Sequence, residues 1–144
     1  MKQKILFLCT GNSCRSQMAE AWCRALKHHL YEPYSAGLVA KGLNPKMVEV
    51  MRELGLDPTI HQTSKTLDSL LARGLRFDIV VTVCGHAHET CPAFPGGARV
   101  VHVGFDDPPQ LEQTARCPEE ALDHYRRVRD QIRDFVNSLP GSLP

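Results

Sequence analysis

Residues 4–26, KILFLCTGNSCRSQMAEAWCRAL, constrain this chain more than any other stretch. An apolar run of strand length passes through a short polar loop directly into a segment whose Met18, Trp22, Ala25 and Leu26 recur at helical spacing. A continuously apolar strand is buried on both faces, and a helix directly after it begins a crossover to a parallel neighbour. The rest of the chain keeps that rhythm. Residues 34–37, 77–84 and 98–103 read as three further strands. A helix is predicted after the cap Asn44-Pro45, with Met47, Val50, Met51 and Leu54 as its inner stripe and Gly55 as its stop. A short helix over residues 66–73 closes at Gly74. The last helix opens at Pro118 and turns Ala121, Tyr125, Val128, Ile132 and Phe135 inward, which leaves Arg126, Arg127, Arg129 and Arg133 as a solvated face. The predicted fold is α/β: three layers, with a central four-stranded parallel sheet flanked by helices. Its 144 residues fit a single domain, 1–144.

Seventeen basic and 16 acidic residues give a formal net charge of +1, so no charge excess points to nucleic acid or an anionic membrane. The longest apolar runs, ILFLC and IVV, are too short to cross a bilayer, and MKQKILFLCTGN carries no small-residue cleavage site. A cytoplasmic location is expected. Thiols stay reduced there, so the six cysteines are expected to serve chemistry or burial, not a disulfide framework.

Ligands of parallel sheets bind beyond the carboxyl ends of the strands. Cys9, Cys84 and the segment Gly104-Phe105-Asp106-Asp107 all stand at such ends. In CTGNSCRS, a loop between a buried strand and a helix can aim successive N–H groups at one anion, helped by the helix dipole. Gly11 permits a positive φ and Asn12 tolerates one. Arg15 offers a planar fork for two oxygens of a tetrahedral oxyanion. The same dipoles and the Ser16 hydroxyl favour Cys9 as a thiolate nucleophile over a buried core thiol. The predicted cradle is Thr10, Gly11, Asn12, Ser13, Cys14, Arg15 and Ser16. No GK[ST] follows, so this is not a nucleotide-type phosphate loop.

CTGNSCRSQMAE, together with YSAG, the Thr63-Ser64 pair, Cys84 with Cys91, and GFDDP, resembles the low-molecular-weight phosphatase fold. Within it, the chain resembles the thioredoxin-coupled arsenate reductases, over residues 5–135. The resemblance implies Cys9 as nucleophile, Arg15 as oxyanion clamp and Asp107 as general acid, with Asp106 its neighbour. It also implies arsenate as substrate, thioredoxin as partner, no cofactor and a monomeric enzyme. In this reading Cys9 forms an adduct with arsenate, Cys84 attacks Cys9 to release arsenite, and Cys91 attacks Cys84 to carry the disulfide outward.

Two alternatives stay open. A tyrosine phosphatase of this fold would share the loop; Asp107-Pro108-Pro109 lacks the aromatic residue that such enzymes place after Asp-Pro, although weak phosphatase activity is expected. Cys84, His86, His88 and Cys91 could instead form a metal- or arsenite-binding module, but their spacing matches no common zinc site. Cys14 is expected to pack under the loop, and Cys23 and Cys117 to be structural. Some relatives hold potassium near Asn12, Glu20 and Ser35. Here Lys65 stands where they carry an acid, so no metal is predicted. The segment between Cys84 and Cys91 is expected to refold on oxidation. Helical geometry would hold their Cα atoms ~10 Å apart, whereas a disulfide needs ~4.4–6.8 Å.

Overall fold

The computed structural model describes residues 2–85 and 97–144. His86, His88 and Cys91 lie outside the described residues, as does the refolding expected between Cys84 and Cys91. The strands are β1 (Gln3–Cys9), β2 (Tyr31–Gly37), β3 (Ile79–Thr82) and β4 (Arg99–His102). They pair in parallel in the order β2-β1-β3-β4, and helices flank the sheet. β1 is central, which is why Ile5, Leu6, Phe7 and Leu8 are all fully buried. β2 tolerates Pro33 because it is an edge strand.

The helices are α1 (Arg15–Leu26), α2 (Pro45–Arg52), α3 (Pro58–His61), α4 (Leu67–Ala72), α5 (Pro108–Glu112) and α6 (Pro118–Asn137). Asn44 caps α2 by accepting from the N–H groups of Lys46 and Met47, and Thr66 caps α4 through Ser69 N–H. The long helix α6 packs against both α1 and α2. Its buried stripe is Ala121, Tyr125, Val128, Arg129, Ile132 and Val136. Among the described residues, no helix is long and apolar enough to cross a membrane.

Several expectations need correction. The α2 stripe ends at Met51, and Leu54 is exposed because the helix stops at Arg52. Phe135 is only half-buried and packs edge-on against Phe105, while Val136 takes the deep position. Arg129 is not on a solvated face. It is buried, and its guanidinium donates to Val50 O, Glu53 and Asp130, fastening α6 to α2.

Candidate active site

At the carboxyl end of β1 the chain turns through residues 10–14 into α1, and the loop's carbonyls are tied down on one side. Cys9 O accepts from Leu38 N–H, Thr10 O from Val39, Gly11 O from Lys41 and Ser13 O from Asn44, at 2.9–3.3 Å. Asn12 O accepts from Gln17 Nε2 at 3.1 Å. A trans peptide points its N–H opposite its C=O, so the amides of Thr10, Gly11, Asn12, Ser13 and Cys14 face the other way. Beside the loop lies a cavity of about 230 Å³ lined by Cys9, Cys14, Arg15, Lys41, Asn44 and Asp107. Cys14, the N-cap of α1, spends no side-chain hydrogen bond on the helix end, whose amides add to the positive field.

The positive φ falls on Asn12, at 47°, and not on Gly11. At Gly11 a Cβ would lie 2.8 Å from Lys41 Cδ, so the exposed lysine stem that covers the loop would have to move aside. Asn12 is held in its left-handed conformation by its own side chain. Its Oδ1 accepts from Gln17 Nε2 and Lys65 N–H, both at 2.9 Å, and its Nδ2 donates to Ser16 Oγ at 2.9 Å. Ser16 Oγ in turn lies 2.8 Å from Cys9 Sγ.

Arg15 is fixed from behind, donating through Nη1 to Phe105 O at 2.9 Å, with Nη2 3.6 Å from Asp107 Oδ1. Asp107 is the N-cap residue of α5, yet its carboxylate makes no capping bond and faces the cavity. Asp106 points elsewhere, pairing with Arg127 at 3.1 Å. Cys84 follows β3 in the register that pairs Leu8 with Thr82, which places it beside the carboxyl end of β1. It is buried, with its sulfur 3.4 Å from Thr10 Oγ1. The structure therefore brings Cys9, Thr10, Gly11, Ser13, Cys14, Arg15 and Asp107 together around one cavity, leaves Asn12 and Ser16 fully buried outside its lining, and places Cys84 beside Thr10; Cys91 falls outside the described residues.

Cys14 is buried under the loop, and that burial, aided by the neighbouring Cys9, raises its pKa far above the usual thiol range. It stays a neutral thiol. Burial also pushes Cys23 up to about 12, while Cys117 is exposed at the start of α6. The potassium-type position does not fit a cation. Glu20 already receives Ser35 Oγ and Arg24 Nη2, each at 2.5 Å, and Lys65 Nζ lies 3.7 Å from its Oε1. Two fixed positive groups would repel a third.

Sequence reasoning missed Lys41, Asn44, Tyr125 and Gly37. A signal existed only for Gly37, which ends a strand beside the loop. A Cβ on it would come 2.4 Å from Val39 O and 2.7 Å from Asn12 N.

The family model described as low molecular weight phosphotyrosine protein phosphatase matches residues 4–143. An arsenate reductase of Halalkalibacterium halodurans is 50% identical over 138 residues, 96% of this chain and 95% of that one. An arsenate reductase of Bacillus subtilis is 46% identical over 92% of this chain and 91% of its own. Among solved structures, an arsenate reductase in the phosphate binding state superposes with a TM-score of 0.74 at 28% identity, covering 100% of both chains. On this family match, and on relatives that align over nearly their whole length, the chain belongs to the low molecular weight phosphotyrosine protein phosphatase family, in the group of arsenate reductases.

Proposed function

We propose that the protein reduces arsenate to arsenite through a relay of Cys9, Cys84 and Cys91, with thioredoxin as the final reductant. The observation that carries this is a second buried thiol, Cys84, whose sulfur lies 3.4 Å from Thr10 Oγ1 in the loop that Cys9 opens. Hydrolysis of a phosphate ester needs one thiol. Reduction of arsenic by two electrons needs a second.

In the first step the Cys9 thiolate attacks arsenic, and a hydroxide leaves as water with a proton from Asp107. The cradle amides and Arg15 stabilise the charge on the remaining oxygens. The Cys84 thiolate then attacks Cys9 sulfur. The As–S bond breaks with its electron pair staying on arsenic, which leaves as arsenite, and a Cys9–Cys84 disulfide remains. Cys91 thiolate attacks Cys84, freeing Cys9 as thiolate, and the dithiol of thioredoxin reduces the Cys84–Cys91 disulfide. No resident cofactor is needed, and a monomer suffices because all three thiols belong to one chain.

The test is arsenate-dependent NADPH oxidation with thioredoxin and its reductase, run beside p-nitrophenyl phosphate hydrolysis by the same preparation. Steady oxidation that requires arsenate, with at most slow ester hydrolysis, is expected. Efficient hydrolysis of phosphotyrosine with no arsenate-dependent oxidation would make the protein a phosphatase.

A further inference from the structure

Tyr125 has no solvent-exposed surface and comes from the middle of α6, and among the described residues its hydroxyl bonds to none of the reacting groups named above. Its hydroxyl nevertheless sits between the two loops that build the site. It donates to Glu112 Oε1 at 2.8 Å and accepts from Asn44 Nδ2 at 3.2 Å. Asn44 is the residue whose N–H holds Ser13 O of the cradle at 2.9 Å. Glu112 is the last residue of α5, the helix that Asp107 begins. One buried phenol thus joins the anion loop to the acid-bearing helix.

A five-residue helix has almost no stability of its own, so tertiary anchors decide where α5 points. Its near end is fixed by Arg15 on Phe105 O and by the edge contact of Phe105 with Phe135. Its far end has Glu112, whose second oxygen lies 2.6 Å from Lys46 Nζ. Bonds from Lys46 first, and then Tyr125, hold the Glu112 carboxyl below its ordinary range, so this anchor is ionised wherever the enzyme works. Burial is the main cause that raises the Tyr125 phenol above its ordinary range, and Glu112 adds to it, so the hydroxyl keeps the proton it donates. Two fixed points define the direction of a short rod; one leaves it free to swing.

We propose that Tyr125, through Glu112, is a positioning residue for Asp107, setting the distance between the acid and the oxyanion while leaving anion binding to the cradle. This rests on the reading of Asp107 as the general acid. Displacing a catalytic group by about 1 Å costs up to ~100-fold in rate. Tyr125→Phe leaves the Lys46 pair on Glu112, so the far end of α5 is loosened and not freed, and the loss is expected to be about tenfold.

The test is a double-mutant cycle on the full chain, measuring the rate constant and amplitude of arsenite release in one turnover of reduced enzyme at saturating arsenate. Tyr125→Phe should lower the rate constant about tenfold with full amplitude, and Asp107→Asn about 100-fold or more. Added to Asp107→Asn, Tyr125→Phe should slow the reaction no further. Protection of Cys9 from iodoacetamide by phosphate should stay within about twofold in Tyr125→Phe, since the cradle is intact. If Tyr125→Phe fails to fold, Glu112→Ala opens the same anchor from a half-exposed position and carries the cycle in its place. A fall in amplitude alone, or an equal tenfold loss in the Asp107→Asn background, would reduce Tyr125 to a structural role and overturn the proposal. An Asp107→Asn enzyme with the wild-type rate would reject the assignment of the acid itself.

Discussion

The Ser16 hydroxyl accepts from Asn12 Nδ2 at 2.9 Å and lies 2.8 Å from Cys9 Sγ, to which it donates when that sulfur is a thiolate. The Asn12 bond has that direction because Gln17 Nε2 and Lys65 N–H both donate to the other atom of the Asn12 amide, its Oδ1. A hydrogen bond to a charged acceptor contributes roughly 1.5–3 kcal/mol. Ser16→Ala should therefore slow alkylation of Cys9 by iodoacetamide at neutral pH by about tenfold or more. An unchanged rate would mean that the hydroxyl does not hold the sulfur.

The thiols should separate by role. Cys9→Ser is expected to abolish arsenate reduction and ester hydrolysis alike. Cys84→Ser and Cys91→Ser should abolish repeated turnover with thioredoxin, yet leave whatever ester hydrolysis the wild type shows, because that reaction uses Cys9 alone. A Cys91→Ser enzyme that cycles at the normal rate would remove Cys91 from the relay.

Gly37 leaves no room for a side chain where β2 passes the loop. A methyl group there would lie 2.4 Å from Val39 O and 2.8 Å from Thr10 O, both backbone atoms. Gly37→Ala should cost about 2–3 kcal/mol of stability. It should also weaken phosphate protection of Cys9, since Asn12 N lies 2.7 Å from the same methyl. Urea denaturation checks the first part and alkylation the second. A variant as stable as the wild type would show that the loop is less tightly seated than its contacts imply.

Glu53 ties α2 to α6, with Arg126 Nη2 at 2.7 Å and Arg129 Nη1 at 2.9 Å. Hydrogen bonds from Arg126 first, with Arg129 adding, hold its carboxyl below the ordinary value of 4.5. A carboxyl whose folded pKa is depressed contributes stability that is fully present above the unfolded value, ~4.3, and is lost as pH falls through the folded value. Glu53→Gln should thus cost about 1 kcal/mol at pH 7 and nothing once both forms are protonated at low pH. A Tm difference that persists unchanged to pH 2 would assign the cost to packing.

Elements and loop were legible in the sequence because both depend on local pattern. The apolar run ILFLC means a strand buried on both faces, and Asn44-Pro45 means a capped helix start; both stand as read. Arg129 was legible in principle. It lies four residues after Tyr125 and three before Ile132, on the buried face of α6, but its charge argued for solvent while its partners lie 76 and 79 residues away. The same distance hid Tyr125, whose partner Asn44 is 81 residues away in sequence. Which of Gly11 and Asn12 takes the positive φ was left open by the sequence for a different reason. Either residue type accepts a positive φ, and the side-chain bonds that hold Asn12 in it include one from Lys65 N–H, 53 residues away.

The outward-tied carbonyls have a consequence for how the protein tells its substrate from the phosphate around it. A cradle made of peptide N–H groups and one guanidinium reads charge and tetrahedral shape, and phosphate, sulfate and arsenate present nearly the same of both. Because hydrogen bonds within the protein hold the frame, it has little freedom to close more tightly on one anion than another. Discrimination then falls on what happens after capture. Phosphorus has no accessible lower state to which a pair of thiols can take it, so a phosphate visitor departs unchanged and merely occupies time. Arsenic is committed by the electrons it accepts. The choice of substrate is made by redox potential, at a site that greets every tetrahedral anion alike.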